Sequence, residues 1–230
     1  MIISHKYKCI FIRIPKTGST SIETYLKEVD PDCISSEDKP PYGHETCSQL
    51  LEKHGHTIWN SYYKFTFIRE PYQWYKSYYS DLLNYSWDED SELAKKNLSL
   101  VLTDDNALPE PVNSTLHEKH VMIIQVLNDF WFYPAINDNI MDNHVTQISW
   151  IDKPINFIGR TEFLDEDFKD ICNKLNIPFT ELKRLNTSDS HKLSHSEGAK
   201  RLIKCLADKD LELYYNIKTI TNNRYLCVII

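Results

Sequence analysis

At 230 residues and a formal net charge of −7, the chain is long enough for one domain with a substantial core and too acidic for general nucleic-acid binding, although a local pocket can still hold a small anion. Its six cysteines, Cys9, Cys33, Cys47, Cys172, Cys205 and Cys227, form no C-x-x-C pair and no zinc spacing, so reduced, buried thiols in a cytoplasmic setting are expected. The N-terminus carries no long apolar run, so neither a signal peptide nor a membrane anchor is expected.

The first informative stretch runs from an apolar segment, Cys9-Ile10-Phe11-Ile12, into R-I-P-K-T-G-S-T-S-I-E-T-Y-L at 13–26. The apolar run suits one buried strand, and Ile22, Tyr25, Leu26 and Val29 recur at helical spacing. Thr20 and Glu23 have capping-box spacing, which places a helix start here and makes Glu23 a cap. A strand, tight turn and helix in that order aim backbone N–H groups and a positive helix pole at one spot, where an anion binds. Lys16 adds a charge, and Thr17, Ser19, Thr20 and Ser21 add hydroxyl donors. An ATP-type loop fits poorly. That motif needs its lysine directly after the second of two glycines, and here Lys16 precedes the single glycine, Gly18.

Residues 30–48 read as loop, with Asp30-Pro31-Asp32 and Lys39-Pro40-Pro41 as turn chemistry, followed by a short helix over 48–53. His44 follows Gly43 in that loop. Next, Phe65 to Ile68 suits a buried strand, and Pro71 suits the first turn of a helix striped by Trp74, Tyr78 and Leu82. Arg69 then stands at the strand's carboxyl end, where ligands gather in open α/β sheets, with Ser77 about two helical turns further on. An arginine and a serine so placed suit one phosphate, the arginine by a bidentate fork.

Residues 84–115 are irregular and read as an insert or an acceptor-side loop. A helix is expected over 115–128, capped by Ser114. Residues 155–160 read as a further strand ending at Arg160. Thr161-Glu162 then opens a helix with Phe163, Leu164, Phe168, Ile171 and Leu175 inward. A last helix is expected over 196–216, and 226–230 forms a terminal strand or a cover for the core.

The order P-K-T-G-S-T-S resembles the 5′-phosphosulfate loop of sulfotransferases, which use 3′-phosphoadenosine 5′-phosphosulfate (PAPS). F-I-R-E-P-Y-x-x-Y-x-S-Y-Y resembles their 3′-phosphate motif. F-I-G-R-T-E at 157–162 and His144-x-x-Gln147 resemble segments of the carbohydrate (Golgi-type, family 2-like) and phage or bacterial branches. Glu70 stands where the family has aspartate or asparagine. The resemblance implies an α/β, P-loop-like three-layer fold with a central parallel sheet flanked by helices, in a single domain over 1–230. It also implies sulfuryl transfer from PAPS to a hydroxyl of a carbohydrate or similar acceptor, with 3′,5′-ADP released. By this resemblance Pro15, Lys16, Thr17, Gly18, Ser19, Thr20 and Ser21 hold the 5′ side, Arg69 and Ser77 the 3′-phosphate, and Arg160 approaches the nucleotide or pairs with Glu162. Lys16 stabilises the leaving group. The base is a histidine or glutamate between the two motifs; His44 is the first choice, with His56, Glu45 and Glu23 as rivals. The scheme requires no metal. The alternatives are a P-loop-type nucleotide kinase and a non-enzymatic nucleotide-binding module.

Overall fold

A computed structural model describes residues 1–35, 44–84, 146–185, 204 and 207–220. All but residue 84 of the insert read over 84–115, and the helix over 115–128, His144, Asn186 and the terminal strand, lie outside these residues. The chain divides into two compact units, one of Met1–Glu70, Gln147–Thr187 and Lys209–Ile230, the other of Pro71–Thr146 and Ser188–Asp208.

The first unit is built on a five-stranded sheet of order β3-β1-β2-β4-β5, with β1 Ile2–Ser4, β2 Cys9–Phe11, β3 Ile34–Ser35, β4 Tyr63–Ile68 and β5 Phe157–Arg160. β2, β4 and β5 are parallel, in register Phe11 to Phe65 and Phe67 to Gly159. The expected strands at 9–12, 65–68 and 155–160 are therefore present. The sheet as a whole is mixed rather than parallel, because β1 runs antiparallel to both β2 and β3. The cause is local. Only His5–Lys8 separate β1 from β2, and a link so short makes a hairpin, since a parallel crossover needs about a dozen residues. Lys8 takes a positive φ of 50° to close it. The short β3 lies in a stretch expected to be loop.

Helices α1 (Ser19–Val29), α2 (Cys47–Ser61) and α4 (Leu164–Leu175), and most of α5 (Asp208–Ile220), belong to this unit. The capping box expected at Thr20 and Glu23 is not formed. α1 starts two residues earlier, with Gly18 rather than Thr20 at the N-cap, and Glu23 pairs instead with Arg13 and Lys27, each at 2.7 Å. A capping box does form at Thr46, whose hydroxyl accepts from Gln49 N–H at 3.3 Å while the Gln49 side chain accepts from Thr46 N–H at 2.9 Å. It starts a helix longer than the expected 48–53, kinked at Gly55, where φ is 81°.

One face of the sheet packs against α1 and α4. Phe65 and Phe67, two residues apart on β4, point to this face. Phe11 stacks on Phe65 at 5.1 Å, and Phe168 of α4 lies against Phe65, Phe67 and Tyr25. Phe168, Ile171 and Cys172 form the buried stripe of α4, whereas Phe163, expected inward, is exposed. Cys9, Cys33, Cys47 and Cys172 are free thiols. The second unit contributes α3, Pro71–Asn84, which opens at Pro71 as expected and sets Trp74 edge-on to Tyr75 at 4.9 Å. No helix among the described residues is long and apolar enough to cross a membrane.

Gly159 makes room for the ring beside it, because a Cβ there would stand 2.4 Å from a ring carbon of Phe67. Gly159→Ala is expected to destabilise the protein by about 1–3 kcal/mol, the usual cost of overpacking. Urea unfolding at unchanged m-value measures it.

Candidate functional site

Three parallel strands leave the sheet at the same edge, and each leads into a loop that carries polar side chains. After β2 the chain is pinned to β4, since Ile12 N–H donates to the Phe65 carbonyl at 2.9 Å and the Thr66 hydroxyl to the Ile12 carbonyl at 2.8 Å. The loop then tightens. Thr17 Oγ1 donates to the Ile14 carbonyl at 2.8 Å, and both Lys16 (φ 63°) and Gly18 (φ 77°) adopt the left-handed region. Glycine does so without strain, but a lysine there costs about 1–2 kcal/mol. Left-handed residues in such a turn help to gather backbone N–H groups into an anion-binding nest. α1 begins directly after it, with no side-chain cap and no acidic residue in its first turn, so no carboxylate there offsets its positive pole. Ser19 is buried and Thr20 half-buried. The Ser21 hydroxyl accepts from Leu185 N–H at 3.2 Å.

The Thr161 hydroxyl, just past β5, lies 3.1 Å from the Thr17 carbonyl and 3.1 Å from the Ile68 carbonyl. One proton shared between two acceptors thus ties all three strand exits together. Sequence reading missed this residue as a contributor to the site.

Arg69 follows Ile68, the last residue of β4. Its side chain is half-buried, and no described residue forms an ion pair with it. Desolvation lowers its pKa, opposed by the nearby charges of Glu162 and Glu70. Its peptide is bracketed by Gln147, the first residue of a 3-10 turn over Gln147–Trp150. Arg69 N–H donates to Gln147 Oε1 at 2.7 Å, and Gln147 Nε2 donates to the Arg69 carbonyl at 2.9 Å. Ser77 lies in the second turn of α3, in the other unit.

Arg160 ends β5 with its guanidinium 4.2 Å above the Phe163 ring. Its charge partner is Asp167, at 3.8 Å from Nε, rather than Glu162; Asp167 also accepts Arg160 N–H at 2.8 Å. Glu162 is committed elsewhere, accepting from Glu70 N–H at 2.8 Å and from the Tyr214 hydroxyl at 3.1 Å.

His44 stands beside the start of the first loop. Its Nδ1 lies 2.9 Å from the Arg13 carbonyl, and its own carbonyl accepts from Trp150 Nε1 at 2.8 Å. A carbonyl only accepts, so Nδ1 carries the proton and Nε2 keeps its lone pair. Burial first, and the Arg13 guanidinium second, push the pKa down to about 3, so the ring is neutral at pH 7. Among the rivals, Glu45 lies 3.5 Å from Lys53, Glu23 is paired with Arg13 and Lys27, and His56 is exposed on α2. Among the described residues no group of three or more His, Cys, Asp and Glu side chains is arranged to hold a metal ion.

A family model described as the sulfotransferase family matches residues 1–217. No curated protein and no solved structure matches the chain.

His44 also supplies a pH signature. Its folded pKa lies below the ordinary value, near 6.5, so the unfolded chain binds the extra proton first as pH falls. The associated stability is complete above about pH 6.5 and is lost progressively toward pH 3. His44→Asn, which keeps an N–H for the Arg13 carbonyl but does not titrate, is expected to lose less stability than the parent between pH 7 and 5. A difference on the order of 1 kcal/mol is expected in urea melts at the two pH values.

Proposed function

The chain belongs to the sulfotransferase family, and from that membership we propose that it transfers the sulfuryl group of PAPS to a hydroxyl of a carbohydrate or similar acceptor. The observation that carries the reading is the tie made by Thr161, which joins the loop of Lys16 to the strand end that bears Arg69. The Lys16 turn and Arg69 thereby leave the sheet at one edge, which supports the reading.

In this reading the Lys16–Gly18 turn and the first N–H groups of α1 receive the 5′ side of the donor. Pro15 shapes the turn, and Thr17, Ser19, Thr20 and Ser21 line it. Arg69 takes the 3′-phosphate by a charge-assisted fork. The sequence pattern pairs it with the Ser77 hydroxyl, and we keep that pairing as part of the proposal. Arg160, backed by the ring of Phe163, contributes positive charge toward the nucleotide.

The acceptor oxygen attacks sulfur in line with the bond to the 5′-phosphate oxygen. As the new S–O bond forms, the old one breaks and its electron pair leaves with 3′,5′-ADP. The Lys16 ammonium stabilises the charge that appears on that leaving oxygen. The acceptor's proton passes to His44 Nε2, the ring nitrogen that holds a lone pair. A pKa of about 3 makes His44 a weak base. Arrival of a multiply anionic donor raises it toward the working range, because nearby negative charge favours imidazolium. The same setting keeps His44 unprotonated before the acceptor enters.

Calorimetric titration with 3′,5′-ADP and 5′-AMP tests the donor assignment. The parent is expected to prefer 3′,5′-ADP, and Arg69→Ala to weaken that ligand about 10- to 100-fold while changing 5′-AMP little. Equal binding of the two nucleotides by the parent overturns the reading. With radiolabelled PAPS and a panel of glycans and simple alcohols, Lys16→Ala is expected to lower transfer by about 100-fold or more.

A further inference from the structure

Resting on the assignment of Arg69 to the 3′-phosphate, we infer that Gln147 and Glu162, held in turn by Asp210 and Tyr214 of α5, are positioning residues that set the preference for a 3′-phosphorylated nucleotide. β4 ends at Ile68, so the peptide groups of Arg69 and Glu70 lie beyond the sheet ladder. Peptide groups in a half-buried place need other partners. Gln147 supplies both for Arg69, its amide acting as a short piece of neighbouring strand with one acceptor at 2.7 Å and one donor at 2.9 Å. Glu162 takes the next N–H, that of Glu70, at 2.8 Å.

Neither clamp stands alone. Asp210 is buried and accepts Gln147 N–H at 2.7 Å and Ile148 N–H at 2.9 Å, which fixes the 3-10 turn that presents Gln147. Tyr214 donates to the second oxygen of Glu162 at 3.1 Å. Asp210 and Tyr214 share one face of α5, as residues at i and i+4 of a helix do. One helix therefore buttresses two successive peptides at the end of β4. With its peptide held on both sides, Arg69 varies only through its own side-chain torsions. A guanidinium fork started from one fixed backbone loses less freedom when it closes on a phosphate. The contribution falls on the 3′-phosphate and not on the rest of the nucleotide, because the clamped atoms are those from which Arg69 projects.

The test reads the ratio of affinities for 3′,5′-ADP and 5′-AMP in full-length Gln147→Met and Tyr214→Phe, each compared with the parent. Gln147→Met keeps length and bulk but makes neither hydrogen bond, and the ratio is expected to fall about tenfold with 5′-AMP affinity within about twofold of the parent. Tyr214→Phe removes one proton from the second clamp and is expected to lower the ratio about threefold. A general loss of structure would weaken both nucleotides together and leave the ratio alone. An unchanged ratio in either variant, while the parent still prefers 3′,5′-ADP, overturns the inference and spares the donor assignment. If the parent itself shows no preference, the donor assignment fails and the inference falls with it.

Discussion

Parallel pairing of β2, β4 and β5 is the constraint on which the molecule turns. Strands that run the same way must end at the same edge, and whatever follows them is delivered to one neighbourhood. Here that places the turn of Lys16, the arginine just past β4 and the arginine that ends β5 along a single rim. The Thr161 hydroxyl then removes much of the remaining freedom by touching two of the three exits from the third. The register is held from below by the rings of Phe11, Phe65, Phe67 and Phe168. Core and rim are thus linked mechanically, and a change that tilts β4 moves Arg69 with it.

Local electrostatics run against the overall balance of the chain. The net charge is −7, yet the rim gathers Lys16, Arg69, Arg160 and the positive pole of α1. Two carboxylates near these arginines accept backbone N–H groups. Glu162 serves Glu70, and Asp167 serves Arg160 while also neighbouring its guanidinium. Carboxylates bound in this way hold loops in place and compete less with an incoming anion than they would by pairing directly with Arg69.

The parts of the fold that sequence revealed are those with a continuous local signal. β2, β4 and β5 are apolar runs, and α1 and α4 carry apolar residues at helical spacing. β3 is only two residues long and offers no period to read, and β1 lacks the strand-turn-helix context that marks β2. The capping box was legible as Thr-x-x-Gln at Thr46, but the same spacing at Thr20 drew the assignment; there Gly18 had already turned the chain, and Arg13 drew Glu23 away. Arg69 and Arg160 stand out because each sits at a strand end, and Lys16 because it lies in the turn between a strand and a helix. Gln147 stands out only by resemblance, within His144-x-x-Gln147, and its role, like those of Asp210 and Tyr214, is not legible, since the hydrogen bonds that give them purpose join residues dozens of positions apart and no local pattern encodes such a bond.

The backbone at Lys16 has a consequence for how this chain can change. A glycine would adopt that left-handed turn at lower energy, so the cheapest route to a tougher fold at this position discards the ammonium. A population of variants selected only for survival at high temperature would be drawn toward that replacement. Heat resistance and chemical competence pull on this one residue in opposite directions.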